Sequence, residues 1–125
     1  KANDTRGEAQ ATRLLCEIHI AFDKPQRALS AAREALQFAR INNDGEGEVL
    51  ALMDVANSQI LVGARDVELA PVADRRTMMM KKMEKGVQLM ADAVAAARKL
   101  NNRYLLGAAL FELAQLHEAS NTFEQ

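Results

Sequence analysis

The groups in this chain that could carry chemistry are two histidines, one cysteine, a glycine–carboxylate loop and a methionine cluster. Cys16 is the only thiol in 125 residues, so it closes no intramolecular disulfide and builds no structural zinc site. His19 and His117 stand 98 residues apart. The loop Asn42-Asn43-Asp44-Gly45-Glu46-Gly47-Glu48 has the composition of a calcium loop but not its spacing. With Gly47 in the glycine slot, the bidentate glutamate required six residues later falls on Met53, and with Gly45 it falls on Ala51. No Gly-rich, Lys-Ser/Thr phosphate loop is present, and no nucleophile–histidine pair is set out for covalent catalysis. The stretch Thr77–Met83, "TMMMKKM", holds four of the six methionines. Thioethers can ligate Cu(I), but adjacent helical side chains diverge by about 100° and no histidine or cysteine is near. We therefore expect no catalytic residue, no metal and no cofactor here, and a chain that is not an enzyme.

The elements that must position these groups are helical. Ala, Leu, Glu, Arg and Met dominate, aromatics are 4%, and only Pro25 and Pro71 interrupt. No alternating apolar–polar run reads as a strand. The 16 basic and 17 acidic residues leave a formal charge of −1, which argues against nucleic-acid binding by phosphate neutralisation. No apolar run reaches the roughly 18–20 residues of a membrane span, and no signal-peptide pattern is present. A single unpaired thiol fits a reducing compartment, intracellular or organellar.

Self-similarity organises the chain. At a shift of 40, Asn3, Asp4, Gly7, Glu8, Ala11 and Ile20 fall on identical residues at 43, 44, 47, 48, 51 and 60. At a shift of 58, Leu29, Ala35, Leu36, Ala39 and Arg40 meet Val87, Ala93, Val94, Ala97 and Arg98. The same shift lays Met53-Asp54-Val55-Ala56 over Phe111-Glu112-Leu113-Ala114. The pattern predicts a first helix over about 4–22, then a turn at "DKPQ" with Pro25 in the first turn of the next helix. The second helix runs to about Asn42 and carries Ala28, Ala32, Ala35 and Ala39 on one face. A third helix spans about 47–62, the fourth ends at "ARKLNN", and the fifth covers about 103–119. The two histidines then occupy equivalent, half-buried structural slots, and Cys16 a small-residue slot where its thiol is inert.

Leu15-Cys16, Val55-Ala56 and Leu113-Ala114, each a large then a small residue, recur in the first helix of each unit. "RALSAAREALQFAR" and "GVQLMADAVAAAR" stand where a second helix carries spaced small residues. On these features the chain resembles the tetratricopeptide repeat (TPR) family, in its longer variant of roughly 40 residues per repeat. It departs from the family pattern at the first-helix tryptophan, which is absent, and at the tyrosine slot, which holds His19, Gln59 and His117. Asn-rich turns stand where a proline often ends the second helix.

The resemblance implies an all-α solenoid of antiparallel helix pairs, about five helices in all. Its units are repeat one over 4–43, repeat two over 44–101 and a partial repeat three over 102–125. The change of shift from 40 to 58 places 18 extra residues within 63–85. We expect a loop up to Pro71 there, then an extension of the following helix on which Met79, Met83, Gly86 and Met90 continue the core stripe. Lys1–Asp4 aligns with the linker Ile41–Asp44, and 117–125 with His19–Gln26, so the register reads as part of a longer array or a multi-subunit complex. Leu106, Leu110, Leu113 and Leu116 would then lack cover on one side.

In this family the first helix of each repeat lines a concave groove. Carried over by register, Gln10, Arg13, Glu17 and Ile20 line it in repeat one. Leu50, Met53, Asn57 and Ile60 follow in repeat two, and Ala108, Phe111 and Gln115 in repeat three. That mixture of apolar and amide groups suits an extended peptide or an amphipathic helix. A clamp for a terminal carboxylate is disfavoured, because Glu17 and Asp54 would repel it. A second expected contact is the basic, Met-rich insertion: Arg75, Arg76, Met78, Met80, Lys81 and Lys82. The function read from the sequence is a non-catalytic protein–protein interaction scaffold, binding a partner or serving as a structural subunit. The alternatives are a regulatory TPR domain of a larger enzyme or signalling protein and, more weakly, a helical bundle that binds a cofactor or membrane surface.

Overall fold

The computed structural model describes the backbone of residues 2–124 and the side chains of 7–122. Lys1, before expected repeat one, and Gln125, the end of expected repeat three, lie outside the described residues. Five helices follow one another: α1 (Ala2–Ala21), α2 (Pro25–Ile41), α3 (Gly45–Glu68), α4 (Val72–Lys99) and α5 (Arg103–Glu124). No strand occurs among the described residues, and no helix among them is long and apolar enough to cross a membrane.

Three of the four turns use one chemistry. Asp23, Asn43 and Asn101 take positive φ values of 59°, 52° and 55° just past the ends of α1, α2 and α4. Asn and Asp tolerate this left-handed conformation better than other side-chain-bearing residues. The reversed backbone lets Lys24 N donate to His19 O at 2.8 Å and Asp44 N to Ala39 O at 2.9 Å, satisfying carbonyls that the helix ends leave open. After the second and third of these turns the next helix is capped at once. The Asp44 carboxylate accepts from Gly47 N at 3.0 Å, and the Asn102 amide oxygen accepts from Tyr104 N and Leu105 N at 3.1 Å each. Of the glycine–acid loop, Asp44 thus starts α3, while Glu48 accepts from Arg40 Nε at 2.9 Å and Glu46 from Asn102 Nδ2 at 3.4 Å.

The helices pack in sequence order, and α1 also touches α3 while α3 touches α5. Among the described residues α2 and α4 make no close backbone approach to each other. The odd helices therefore form one layer in which neighbours touch, and the even helices form a second layer that splays. The curvature makes the odd layer the inner one. Two apolar clusters hold the layers together. Cys16, Ala28, Leu29, Ala31, Ala32, Val55 and Val62 fill the first half. Val49, Leu52, Met53 and Ala56 of α3 meet Met90, Ala93, Val94 and Ala97 of α4 and Ala109 of α5 in the second. The expected small-residue face of α2 is realised, with Ala28, Ala32, Ala35 and Ala39 all buried. The absence of bulk there lets α1 and α3 approach closely.

The insertion departs from expectation. Residues 63–68 are helix, so α3 runs a turn and a half past Val62, and only Leu69, Ala70 and Pro71 separate it from α4. The reason lies in the spacing Ile60, Gly63, Val67, which presents one face to α4, with Gly63 and Val67 buried. Gly63 leaves room for the stem of Lys82, whose Cγ lies 2.8 Å from where a Cβ on residue 63 would stand. The extra residues are thus shared between two helices and lengthen one hairpin. Met83, Gly86 and Met90 are buried as the stripe predicts, while Met79 is half-buried. Of the four leucines expected to lack cover, Leu106, Leu113 and Leu116 pack against the second cluster, and Leu110 is exposed.

Candidate functional site

The inner layer carries a polar row that crosses three helices. Arg13 Nε on α1 donates to Asp54 Oδ2 on α3 at 2.8 Å, and Asn57 Nδ2 on α3 donates to Glu112 Oε1 on α5 at 3.3 Å. The Arg13 and Asp54 side chains are 25% and 16% exposed, so this pair is half-sheltered from water. Burial pushes the Asp54 carboxyl above its usual range, Arg13 opposes the shift, and the charges of Glu17 and Glu112 add to it. Three carboxylates around one guanidinium leave this stretch acidic.

The groove residues expected by register divide into two groups. Gln10, Glu17 and Gln115 are exposed, Leu50 and Asn57 are half-buried, and Arg13 joins the polar row. Met53 is 9% exposed and belongs to the apolar cluster between α3, α4 and α5, so it is core and not groove. Ile60 likewise turns toward α4, where its side chain occupies the space a Cβ on Gly86 would need. Phe111, the repeat equivalent of Met53, is 65% exposed. Two groups missing from the expected set complete the row, Asp54 and Glu112. Their signal was present, since Asp54 and Glu112 align at the shift of 58 as carboxylates in one slot. The half-exposed Leu61 of α3 was also missed.

The basic insertion is more structural than expected. Arg75 donates from Nε to Ala70 O at 3.0 Å and from Nη2 to Glu68 O at 3.1 Å, binding carbonyls at the end of α3. Lys82 lays its stem over Gly63 and brings Nζ within 3.9 Å of Asp66 Oδ2. Met78 is half-buried, whereas Arg76, Met80 and Lys81 lie on the surface. Met80 and Lys81 line a cleft of about 570 Å³ with Thr77, Glu84 and Val87 of α4 and His117, Ser120 and Asn121 of α5.

Of the remaining reactive groups, Cys16 and His19 lie on α1 and His117 on α5. Cys16 is fully buried with its Sγ 3.5 Å from Ser58 Oγ, and burial pushes the thiol pKa up, which suppresses thiolate formation. His19 is half-buried on α1, whereas His117 is exposed on α5. Among the described residues no group of three or more His, Cys, Asp or Glu side chains is placed to hold a metal ion. No family model, curated protein or solved structure matches the chain.

Proposed function

We propose that the chain is a non-catalytic, TPR-like interaction scaffold that binds a segment of a protein partner along its inner layer. The observation that carries this reading is the row Arg13–Asp54 and Asn57–Glu112, which runs across three helices on the concave side. A row of polar groups flanked by Leu50 and Leu61 matches what a bound chain needs: hydrogen-bond partners for its polar groups and apolar contacts beside them. The sign of the charge narrows the partner. Glu17, Asp54 and Glu112 disfavour an acidic segment and suit one carrying Lys, Arg or amide groups.

The reading is tested by selecting peptides from a random display library against the purified chain. Basic or amide-rich sequences should be enriched, and reversing charge with Glu112→Lys should weaken them about tenfold or more. Arg33→Glu on α2, outside the inner layer, should leave binding unchanged. Failure to enrich any sequence, or equal losses from both substitutions, would overturn the proposal.

A further inference from the structure

The net charge of −1 hides a division between the two layers. Among the described side chains, the even helices α2 and α4 carry ten basic and four acidic residues. The odd helices α1, α3 and α5 carry three basic and nine acidic residues. The sign of the excess alternates helix by helix along the chain, starting negative in α1. Part of this charge is answered between the layers, Glu48 by Arg40 at 2.9 Å and Asp66 by Lys82 at 3.9 Å. Each such pair takes one charge from each layer. Eight basic against four acidic residues then remain on the even helices, and seven acidic against three basic on the odd ones. The excess lies at the surface. Arg27, Arg33, Lys81, Lys85, Arg98 and Lys99 are exposed on the even helices, and Glu8, Glu17 and Glu118 on the odd ones. On the inner side Glu17, Asp54 and Glu112 stand close enough to feel one another's charge.

We propose that two copies of the chain associate front to back, the basic outer layer of one lying on the acidic inner layer of the other. This rests on the reading of the inner layer as a surface for basic groups, and names the molecule that supplies them. Charge complementarity selects the occupant. A uniform polyanion such as nucleic acid would set its phosphates against Glu34, Asp74, Glu84 and Asp92, which interrupt the basic layer. The inner layer of a second copy carries Arg13, Arg65 and Arg103 among its acids, so it can meet those carboxylates as well as the basic excess. The two layers thus match in the size of their excess and in the minority of opposite sign. One chain cannot make this contact with itself, because its odd helices lie between its outer layer and its inner surface. The contact joins two different faces, so a pair leaves one face of each kind free and further copies add as concentration rises.

Sedimentation equilibrium of the 125-residue chain in about 20 mM salt tests this. The weight-average mass should climb from the single-chain 13.7 kDa to about twice that or more as protein rises to about 1 mM. In about 1 M salt, where the screening length is about 3 Å, it should return to the single-chain value. Two double variants reverse one face each: Glu17→Lys with Gln115→Lys on the inner layer, and Lys81→Glu with Lys85→Glu on the outer one. All four positions are exposed, so circular dichroism melting curves should move little. Either variant alone should stay at single-chain mass. An equimolar mixture should associate again, because each reversed face then finds its complement. A parent chain that stays single at about 1 mM in low salt would overturn the proposal, as would association indifferent to both reversals or a mixture that fails to restore it. A DNA duplex bound by a chain that remains single would also overturn it, in favour of a polyanion on the outer layer. Amide shifts around Arg13 and Glu112 on titration with a selected basic peptide separate the two readings. A single chain that shows them loses only this proposal, and one that does not loses the inner-layer reading as well.

Discussion

Arg13 on α1 and Asp54 on α3 meet at 2.8 Å across the inner layer, although 41 positions separate them in the chain. The pair joins the two hairpins at the point where their first helices touch. Its balance is uneven: burial, together with the charges of Glu17 and Glu112, raises the Asp54 carboxyl more than the guanidinium lowers it. A carboxyl raised in the folded state holds its proton at pH values where the unfolded chain, near 3.9, has lost it. The proton therefore favours folding as pH falls through the folded value, and that contribution disappears as pH rises.

Removing the guanidinium should enlarge this effect. Arg13→Ala is expected to destabilise the chain by about 1–2 kcal/mol at pH 7, where Asp54 is left charged and half-buried. The loss should shrink as pH falls toward 4 and the carboxyl becomes neutral. Urea denaturation at several pH values, compared with the parent chain, measures the difference. A loss that is constant or grows on acidification contradicts this account of the pair.

The three left-handed turn residues give a second expectation. Asn43→Gly should change stability by less than about 0.5 kcal/mol, because glycine adopts positive φ freely. Asn43→Val should cost about 1–2 kcal/mol, since a β-branched residue pays heavily in that conformation. Asp23 and Asn101 should show the same ordering. Thermal melts of the three pairs check it.

Gly107 sits inside α5 with open space where a Cβ would stand. Gly107→Ala should stabilise the free chain by about 0.5–1 kcal/mol through helix propensity alone. Gly86→Ala offers the same propensity gain but meets Ile60, whose Cδ1 lies 2.4 Å from the new Cβ. That variant should therefore be less stable than Gly107→Ala, by chemical denaturation.

The methionines separate by burial. Met90 is among the largest fully buried side chains, so Met90→Ala should cost about 2–5 kcal/mol. Met80 is 36% exposed at the cleft beside α5, and Met80→Ala should stay within about 0.5 kcal/mol. Equal effects in the two variants would contradict the assignment of the stripe.

Much of the architecture was legible in the sequence because it depends on repeated local chemistry. Small residues at helical spacing marked the covered face of α2, and Asn or Asp beside the helix ends marked the turns. The insertion was misjudged because Gly63 was read as the start of a loop. Its lack of a side chain instead lets Lys82 pass, and Val67 keeps the apolar face going. The groove was legible only in part. Arg13 and Asn57 fell on the inner layer, but Met53 and Ile60 turned toward α4, because the register fixes which helix lines a groove and not which of its faces. The acidic partners of the row, Asp54 and Glu112, share one repeat slot in the sequence, but their pairing with Arg13 and Asn57 across helices needed the structure.

The central claim is that a partner segment lies along the inner layer. Amide chemical-shift mapping of the isotope-labelled chain, titrated with a selected basic peptide, tests it most directly. The account predicts that shifts concentrate on three stretches, around Arg13 and Glu17 in α1, Leu50 to Leu61 in α3 and Glu112 and Gln115 in α5. Shifts confined to α2 and α4, or spread evenly over the chain, would contradict it.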